Sequence, residues 1–394
     1  MENNRNLVLV GKINLDIYAG AHEVSGLKDT KDFATAGMGV SLGGASANVA
    51  RSINTLSRAY DDHGSTNIVT RIGEPPEQQG YKSFGEHLLA THASEMTFRL
   101  LQREGVQYTD VAAGQDGPGI AKSIVSGFRG GRHIYKQSPL TGAFQASSDG
   151  LVSSVKPIVR KEVRGASYVF IDPARPPLAS IAADVCEEEC VPSIVDHGLK
   201  NWPEDEQKAA LLDNILKKAD IIIVPADAVV PGMEDGVKDP DKLFELLHGK
   251  DYKARTIIMS DGTDPVRLSH NGQVTEIPVT PAANPINVSG AGDTRDGALM
   301  FYLSRGEQME TAVAKATEMA TIRIQYPDNE WESHIYEHVA ENPLFADDLD
   351  ELKTGTARVQ PDLFDYVAAK PANFDSAQDA QNDADGALDG VDHG

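Results

Sequence analysis

Cysteine is almost absent from this chain: Cys186 and Cys190 are the only two in 394 residues. Three glutamates separate them, which is neither a redox C-x-x-C nor half of a zinc site, because no second Cys/His pair stands at ligand spacing. On a helix the two would share a face, and a reduced, inert pair is expected. Long apolar runs are missing too. Nothing approaches the roughly 20 residues that span a bilayer. Leu7-Val8-Leu9-Val10, behind Met1-Glu2-Asn3-Asn4-Arg5-Asn6, is too short for a signal-peptide core and no cleavage site follows it. It reads as a first buried strand, and the expectation is a cytoplasmic protein without a membrane partner. Positive charge is scarce: 36 Lys and Arg face 59 Asp and Glu, a formal net charge of −23. Such an excess repels nucleic acid as well as anionic lipid, and no basic patch offsets it locally. It reads as a solubility adaptation, such as a salty cytoplasm demands. The histidines are scattered, so no metal ligands are assigned.

What is present is an alternation of strand-like and helix-like segments in a chain long enough for one large domain or two modest ones. Apolar or β-branched runs occur at Leu7–Ile13, Asn67–Ile72, Ser167–Ile171, Pro192–Val195, Asp220–Val224 and Thr256–Met259. Helical patterns lie between several of them, at Ser83–Arg103, Pro203–Lys218 and Asp241–His248. Short buried strands alternating with helices predict an α/β fold with a mainly parallel central sheet covered on both faces. Two regions break the rhythm. Residues 14–42 are Gly-rich and irregular, and in residues 107–138 the runs Ile120–Val125 and His133–Lys136 flank Gly127-Phe128-Arg129-Gly130-Gly131. That strand–turn–strand pattern predicts a hairpin, and both regions are expected to form a small β-sheet lid. Residues 1–345 are read as this one domain. From about residue 346 the composition shifts, and from Asp375 onward there are six aspartates and no lysine or arginine. Such a segment cannot bury enough apolar surface to offset its ordering entropy, so 346–394 is expected to be an acidic tail without a stable fold.

The most informative stretch runs Asn287-Val288-Ser289-Gly290-Ala291-Gly292-Asp293-Thr294-Arg295-Asp296-Gly297-Ala298-Leu299-Met300. It reads as a glycine-rich turn opening a helix. Small side chains let backbone N–H groups approach an anion, and the helix N-terminus aims its positive end at the same place. The result is an anion hole suited to a transferring phosphoryl group. Asp293, in the first turn, stands where a carboxylate can accept the proton of an attacking hydroxyl; the plain alternative is an Asp capping an ordinary helix. A second glycine-rich turn, Leu42-Gly43-Gly44-Ala45-Ser46-Ala47-Asn48-Val49-Ala50, opens a helix over Ala45–Leu56. Its double glycine permits close approach of a ligand, and the Asn48 amide both donates and accepts. Alone, it reads as a tight connection.

Together, in this order, the two turns resemble the signatures of the ribokinase-like (PfkB) family of carbohydrate kinases, over roughly residues 6–340. Gly43-Gly44 through Asn48 and Ala50 resembles the N-terminal signature, and Gly290-Ala291-Gly292-Asp293-Thr294 with Gly297 and Ala298 the C-terminal one. Gly11-Lys12-Ile13-Asn14-Leu15-Asp16, Arg71-Ile72-Gly73, Phe84-Gly85 and Met259-Ser260-Asp261-Gly262 are similar to further family segments, and Asp196-His197-Gly198-Leu199-Lys200-Asn201-Trp202 loosely to a stretch of the sugar and sugar-acid branches. The resemblance implies a three-layer ribokinase-like fold and ATP-dependent phosphorylation of a small sugar or sugar acid, with Mg²⁺ accompanying ATP. It makes Asp293 the general base and Gly290, Ala291 and Gly292 the anion hole. It assigns Asn14, Asp16, Gly43, Gly44 and Asn48 to the substrate, and Ser260, Gly262, Gly290, Gly292 and Asp227 to the nucleotide. It also allows a homodimer paired through the lid.

The chain departs from the family pattern in places. Pro225-Ala226-Asp227-Ala228-Val229-Val230-Pro231 carries neither the Asn nor the Glu usual after that strand, and Asp227 would have to substitute through water. Asn287 replaces a usual Asp of a monovalent-cation loop, and Lys200 a usual Arg. Arg295 replaces an aromatic and stands ready to pair with Asp296 or approach a phosphate. Arg132 and His133 read as solvated lid residues, and Trp202 and Trp331 as packing residues. These departures keep two other readings open: a nucleoside kinase of the same fold, and a catalytically weakened sensor that binds a metabolite or nucleotide.

Overall fold

Runs of branched apolar residues without polar alternation can be buried on both faces, and they become the inner strands here. The structure, a computed structural model, describes residues 5–19, 38–70, 95–111, 121–128, 131–137, 148–174, 176–198, 202–230, 233, 239–249, 251–286, 288–326, 330–342 and 345. In chain order the strands are β1 (Asn6–Val10), β2 (Asn14–Ala19), β3 (Met38–Gly43), β4 (Ser65–Thr70), β5 (Gln107–Asp110), β6 (Ala121–Phe128), β7 (Gly131–Gln137), β8 (Tyr168–Ile171), β9 (Ser193–Asp196), β10 (Ile221–Pro225), β11 (Thr256–Ser260), β12 (Val266–His270) and β13 (Gln273–Ile277). Among the described residues they form a nine-stranded sheet in the order β13-β12-β11-β10-β9-β8-β1-β4-β5 and a four-stranded sheet in the order β3-β2-β6-β7. The large sheet is parallel from β11 to β5, and β12 and β13 extend it as an antiparallel hairpin. In the small sheet β2 pairs antiparallel with β3 and parallel with β6, and β6 with β7 forms the expected hairpin.

Alternation along β1 sorts its side chains between two layers. Val8 and Val10 join the core formed with helices Ser148–Val163, Pro176–Glu189, Glu206–Lys218 and Pro240–Leu247. Asp205 and Asp239 cap the last two of these helices by accepting from Lys208 N at 2.8 Å and Lys242 N at 2.9 Å. Leu7 and Leu9 face the opposite side, which the helices Ala45–Ala59 and Ala291–Ser304 cover. In Ala291–Ser304 every residue from Thr294 to Leu303 is buried, the mark of a helix enclosed all round rather than lying on a surface. No helix among the described residues is long and apolar enough to cross a membrane.

The expected strands and helices recur with ends shifted by a few residues, and two readings change, those of residues 107–110 and of Cys190. Residues 107–110 belong to the edge of the large sheet, paired with β4, and not to the small one. The expected helix Ser83–Arg103 is described only from residue 95. Cys190 does not share a helical face with Cys186: the helix ends at Glu189 and Cys190 sits exposed in a left-handed turn at φ 54°. The buried Cys186 thiol is pushed up to about 12, mainly by burial, which keeps it inert as expected. The Arg71-Ile72-Gly73 and Phe84-Gly85 segments, Asn287, residues 20–37 and 112–120, and the tail 346–394 lie outside the described residues.

Helices Ala45–Ala59 and Ala291–Ser304 meet at Gly297, where a Cβ would lie 2.5 Å from the Val49 carbonyl oxygen and 2.7 Å from Ser52 Cβ. Neither neighbour is a flexible tip. An alanine in an open helix gains roughly 1 kcal/mol over glycine, whereas overpacking costs about 1–3 kcal/mol. Gly297→Ala is therefore expected to lower stability despite the better helix former, which equilibrium urea unfolding will read as a lower midpoint.

Candidate active site

The first elements of the site come from the end of β1 and the start of the first helix. Gly11 follows β1 where a Cβ would lie 2.4 Å from Ser46 Oγ and 2.5 Å from Asp172 Cβ. Asp172, at the end of β8, accepts from Lys12 N at 3.3 Å and from Ala174 N at 2.8 Å, so it ties the two crossing loops together. The chain then enters β2, whose residues Asn14 and Asp16 are both buried. Asn14 lies opposite Gly43 in the β2–β3 ladder. A Cβ on Gly43 would lie 2.1 Å from Asp16 Oδ2, so only glycine leaves room for that carboxylate. Gly44, at φ 89°, then turns the chain into the helix with its α-carbon close to the Lys12 carbonyl. The side-chain oxygen of Asn14 is buried without a hydrogen-bond partner among the described residues. A buried acceptor left unpaired costs about 1–3 kcal/mol.

The second set comes from the start of helix Ala291–Ser304. Gly290 caps it in the left-handed conformation at φ 78°, and the first amides of a helix have no intrahelical acceptor. Asp293 stands one turn in. Asn48 Nδ2 donates to Asp293 Oδ2 at 2.7 Å across 245 residues of sequence, and Ser52 Oγ donates to the Thr294 carbonyl at 2.8 Å. The structure thus brings Asn14, Asp16, Gly43, Gly44, Asn48, Gly290 and Asp293 into one continuous chain of contacts.

The nucleotide residues expected from sequence are placed differently. Ser260, at the end of β11, accepts from Arg295 Nη1 at 2.7 Å. Gly262 is left-handed at φ 59°, with open space where a Cβ would be. Asp227 is half-buried in the turn after β10, and that turn is held to β11 by the bond from Ala226 N to Ser260 O at 2.9 Å. Arg295 does pair with Asp296, donating from Nε at 2.9 Å and Nη2 at 2.8 Å. Trp331 is a packing residue as expected, with 1% exposure. Trp202 packs at the edge of the core against the His197 ring.

Two groups were not read from sequence, Asp172 and Arg323, and Asp196 was read only as part of a stretch loosely similar to the sugar and sugar-acid branches. Asp172 lies in an ordinary strand-end position. Asp196 faces Asp296 and Arg295 only because β9 and the helix are neighbours in space. Arg323 interrupts an apolar helix without any spacing signal, yet its Nε would lie 3.6 Å from a Cβ on Gly290.

The sheet covered on both faces, the small second sheet and a glycine-capped helix N-terminus carrying a carboxylate define the class: an α/β protein of the three-layer kind. The model of the pfkB family of carbohydrate kinases matches residues 90–330, and the chain belongs to that family. A 2-dehydro-3-deoxygalactonokinase of Haloferax volcanii is 29% identical over 126 residues, which are 32% of this chain and 38% of that relative, so the match spans well under two thirds of its length. An E. coli protein assigned as ribokinase II, solved with ATP and Mg²⁺, superposes with a TM-score of 0.63 at 14% identity, over 85% of this chain and 100% of that one. Adenosine kinase from Schistosoma mansoni in complex with 2-fluoroadenosine does so with a TM-score of 0.61 at 16% identity, over 83% and 96%. At such identities the superpositions show a common fold.

The Asp196 carboxyl is held well above the usual carboxylate range, first by burial and then by Asp296, with Arg295 opposing. The folded chain therefore binds more protons than the unfolded one between the ordinary and the raised value. The stability linked to this group is complete below the ordinary value and fades as pH rises through that window. Asn mimics the protonated form. Thermal unfolding of Asp196→Asn against the parent chain is expected to match it near pH 4 or so and to overtake it progressively at higher pH.

Proposed function

We propose that the chain is an ATP-dependent phosphotransferase that phosphorylates a hydroxyl of a small sugar or sugar acid. The observation that carries this reading is the bond from Asn48 to Asp293, which joins the glycine turn beside Asp16 and Gly43 to the helix N-terminus at Gly290. One carboxylate then stands between the buried polar side chains of β2 and a helix N-terminus suited to an anion. Membership of a carbohydrate-kinase family supports the reaction class. The name of the Haloferax relative supports a sugar acid.

In this reading Asn14 and Asp16 hold acceptor hydroxyls; a hydroxyl donated to the Asn14 side-chain oxygen would satisfy a buried acceptor. Asn48 orients Asp293, which takes the proton of the attacking hydroxyl as its oxygen bonds to the γ-phosphorus. The bond from phosphorus to the bridging oxygen breaks and ADP leaves. The amides after Gly290 receive the charge on the transferring phosphoryl oxygens. The described residues contain no group of three or more His, Cys, Asp or Glu able to cage a metal. Mg²⁺ is ordinarily bound through substrate phosphates and one or two carboxylates. Asp227 is the carboxylate that would approach it through water, and when bound it would screen phosphate charge.

The test is ADP release from Mg-ATP across a panel of sugars, sugar acids and nucleosides. One sugar or sugar acid is expected to support turnover, and Asp293→Asn is expected to lower that turnover by about 10²–10⁴-fold without changing the melting temperature. Retained turnover in that variant would remove Asp293 from the chemistry, and turnover with a nucleoside alone would replace the acceptor class. Asp16→Ala is expected to raise KM for the acceptor more than it lowers kcat, and an unchanged KM would contradict the role given to Asp16.

A further inference from the structure

The helix Met309–Gln325 carries a guanidinium to the back of the anion hole. Arg323 is 4% exposed. Its Nε and Nη2 would lie 3.6 and 3.8 Å from a Cβ placed on Gly290, and Asn48 Nδ2 would lie 3.7 Å from the same point. The arginine that helps to enclose Gly290 thus shares that space with the side chain that orients Asp293. Its guanidinium lies over the Trp331 ring at 5.5 Å. Arg51 lies over the same ring at 5.5 Å and is paired with Glu332 at 2.8 Å, so the ring is held in place.

Electrostatics make this an unusual place for a cation. A helix N-terminus already carries roughly half a positive charge, and cations are favoured at the other end. Arg323 adds to that charge where water is largely excluded. Of the charged side chains nearby, Asp293 stands on the first turn, while Arg295 is matched by Asp296. An anion arriving at the hole would stand close to both the helix N-terminus and this guanidinium, which stays charged in any surroundings a protein provides.

We propose that Arg323 is a positioning residue for phosphoryl transfer: set behind Gly290, its guanidinium strengthens the anion hole and holds the Asn48–Asp293 pair in register with it. The inference rests on the kinase reading above and adds a group to that site. It predicts a preference for phosphorylated over unphosphorylated ligands that depends on the charge at position 323.

The experiment compares the parent chain with Arg323→Gln and Arg323→Lys. Calorimetry measures binding of ATP and of adenosine in Mg²⁺, kinetics on the acceptor found above separate kcat from KM, and melting temperatures are recorded for all three. Arg323→Gln is expected to weaken ATP binding about tenfold while leaving adenosine binding in place, and to lower kcat by about 10- to 100-fold. Arg323→Lys, which keeps the charge, is expected to recover part of both losses. Unchanged ATP binding and kcat in Arg323→Gln would overturn the proposal. So would equal loss of ATP and adenosine binding, or unfolding of both variants, since each makes Arg323 a packing residue. A parent chain that binds ATP in an Arg323-dependent way but phosphorylates nothing in the panel would sustain this inference and sink the acceptor assignment. A parent chain that binds no ATP would overturn both.

Discussion

The site depends on how closely two helices can approach. Ala45–Ala59 and Ala291–Ser304 begin at glycine-rich turns that are far apart in sequence, and each turn by itself is only a connection. Gly297 lets Val49 and Ser52 come against the second helix where any side chain would hold them off. At that separation Ser52 reaches the Thr294 carbonyl and Asn48 reaches Asp293. The two hydrogen bonds set the rotation of one helix against the other, and hence where the carboxylate points relative to Asp16. Because close-packed interiors relax little, a change of a few tenths of an ångström at Gly297 would be transmitted to Asn48 and Asp293.

A second constraint is charge. The chain is strongly acidic overall, yet the region around the helix N-terminus gathers arginines: Arg295 on Ser260 and Asp296, Arg323 on Trp331, and Arg51 on Trp331 and Glu332. Each is held by a hydrogen bond or a ring, as a buried charge requires. Carboxylates interleave with them, and burial together with Asp296 holds the Asp196 carboxyl well above the usual carboxylate range while Arg295 opposes that shift. A surface rich in acid and a site rich in base are compatible because buried charges act at short range in a weakly screening interior, whereas the surface excess is screened by salt.

Much of the fold was legible residue by residue. Leu7–Val10, Ile221–Val224 and Thr256–Met259 are apolar without alternation, which leaves burial between two layers as their natural state. The Gly127–Gly131 turn announced the β6–β7 hairpin. Gln107–Asp110 was harder, because Gln, Tyr, Thr and Asp carry no apolar run, and its place beside β4 is decided by the parallel ladder it completes. Cys190 misled for a related reason: three glutamates read as helix, but the chain turns left-handed immediately after them.

The glycine turn at Gly290 was legible because it is local. Gly290 to Asp293 are neighbours in sequence, and a left-handed cap, small side chains and an acidic first turn are visible there as letters. By itself, therefore, the sequence determined the strand–helix alternation, the two glycine turns and the carboxylate that follows the second. Only the tertiary structure decided that Asn48 meets Asp293, that Arg295 closes on Ser260 and Asp296, and that Arg323 stands behind Gly290. Those pairings join elements separated by whole secondary structures, and their geometry follows from helix rotation and sheet order, to which no local pattern of residues corresponds.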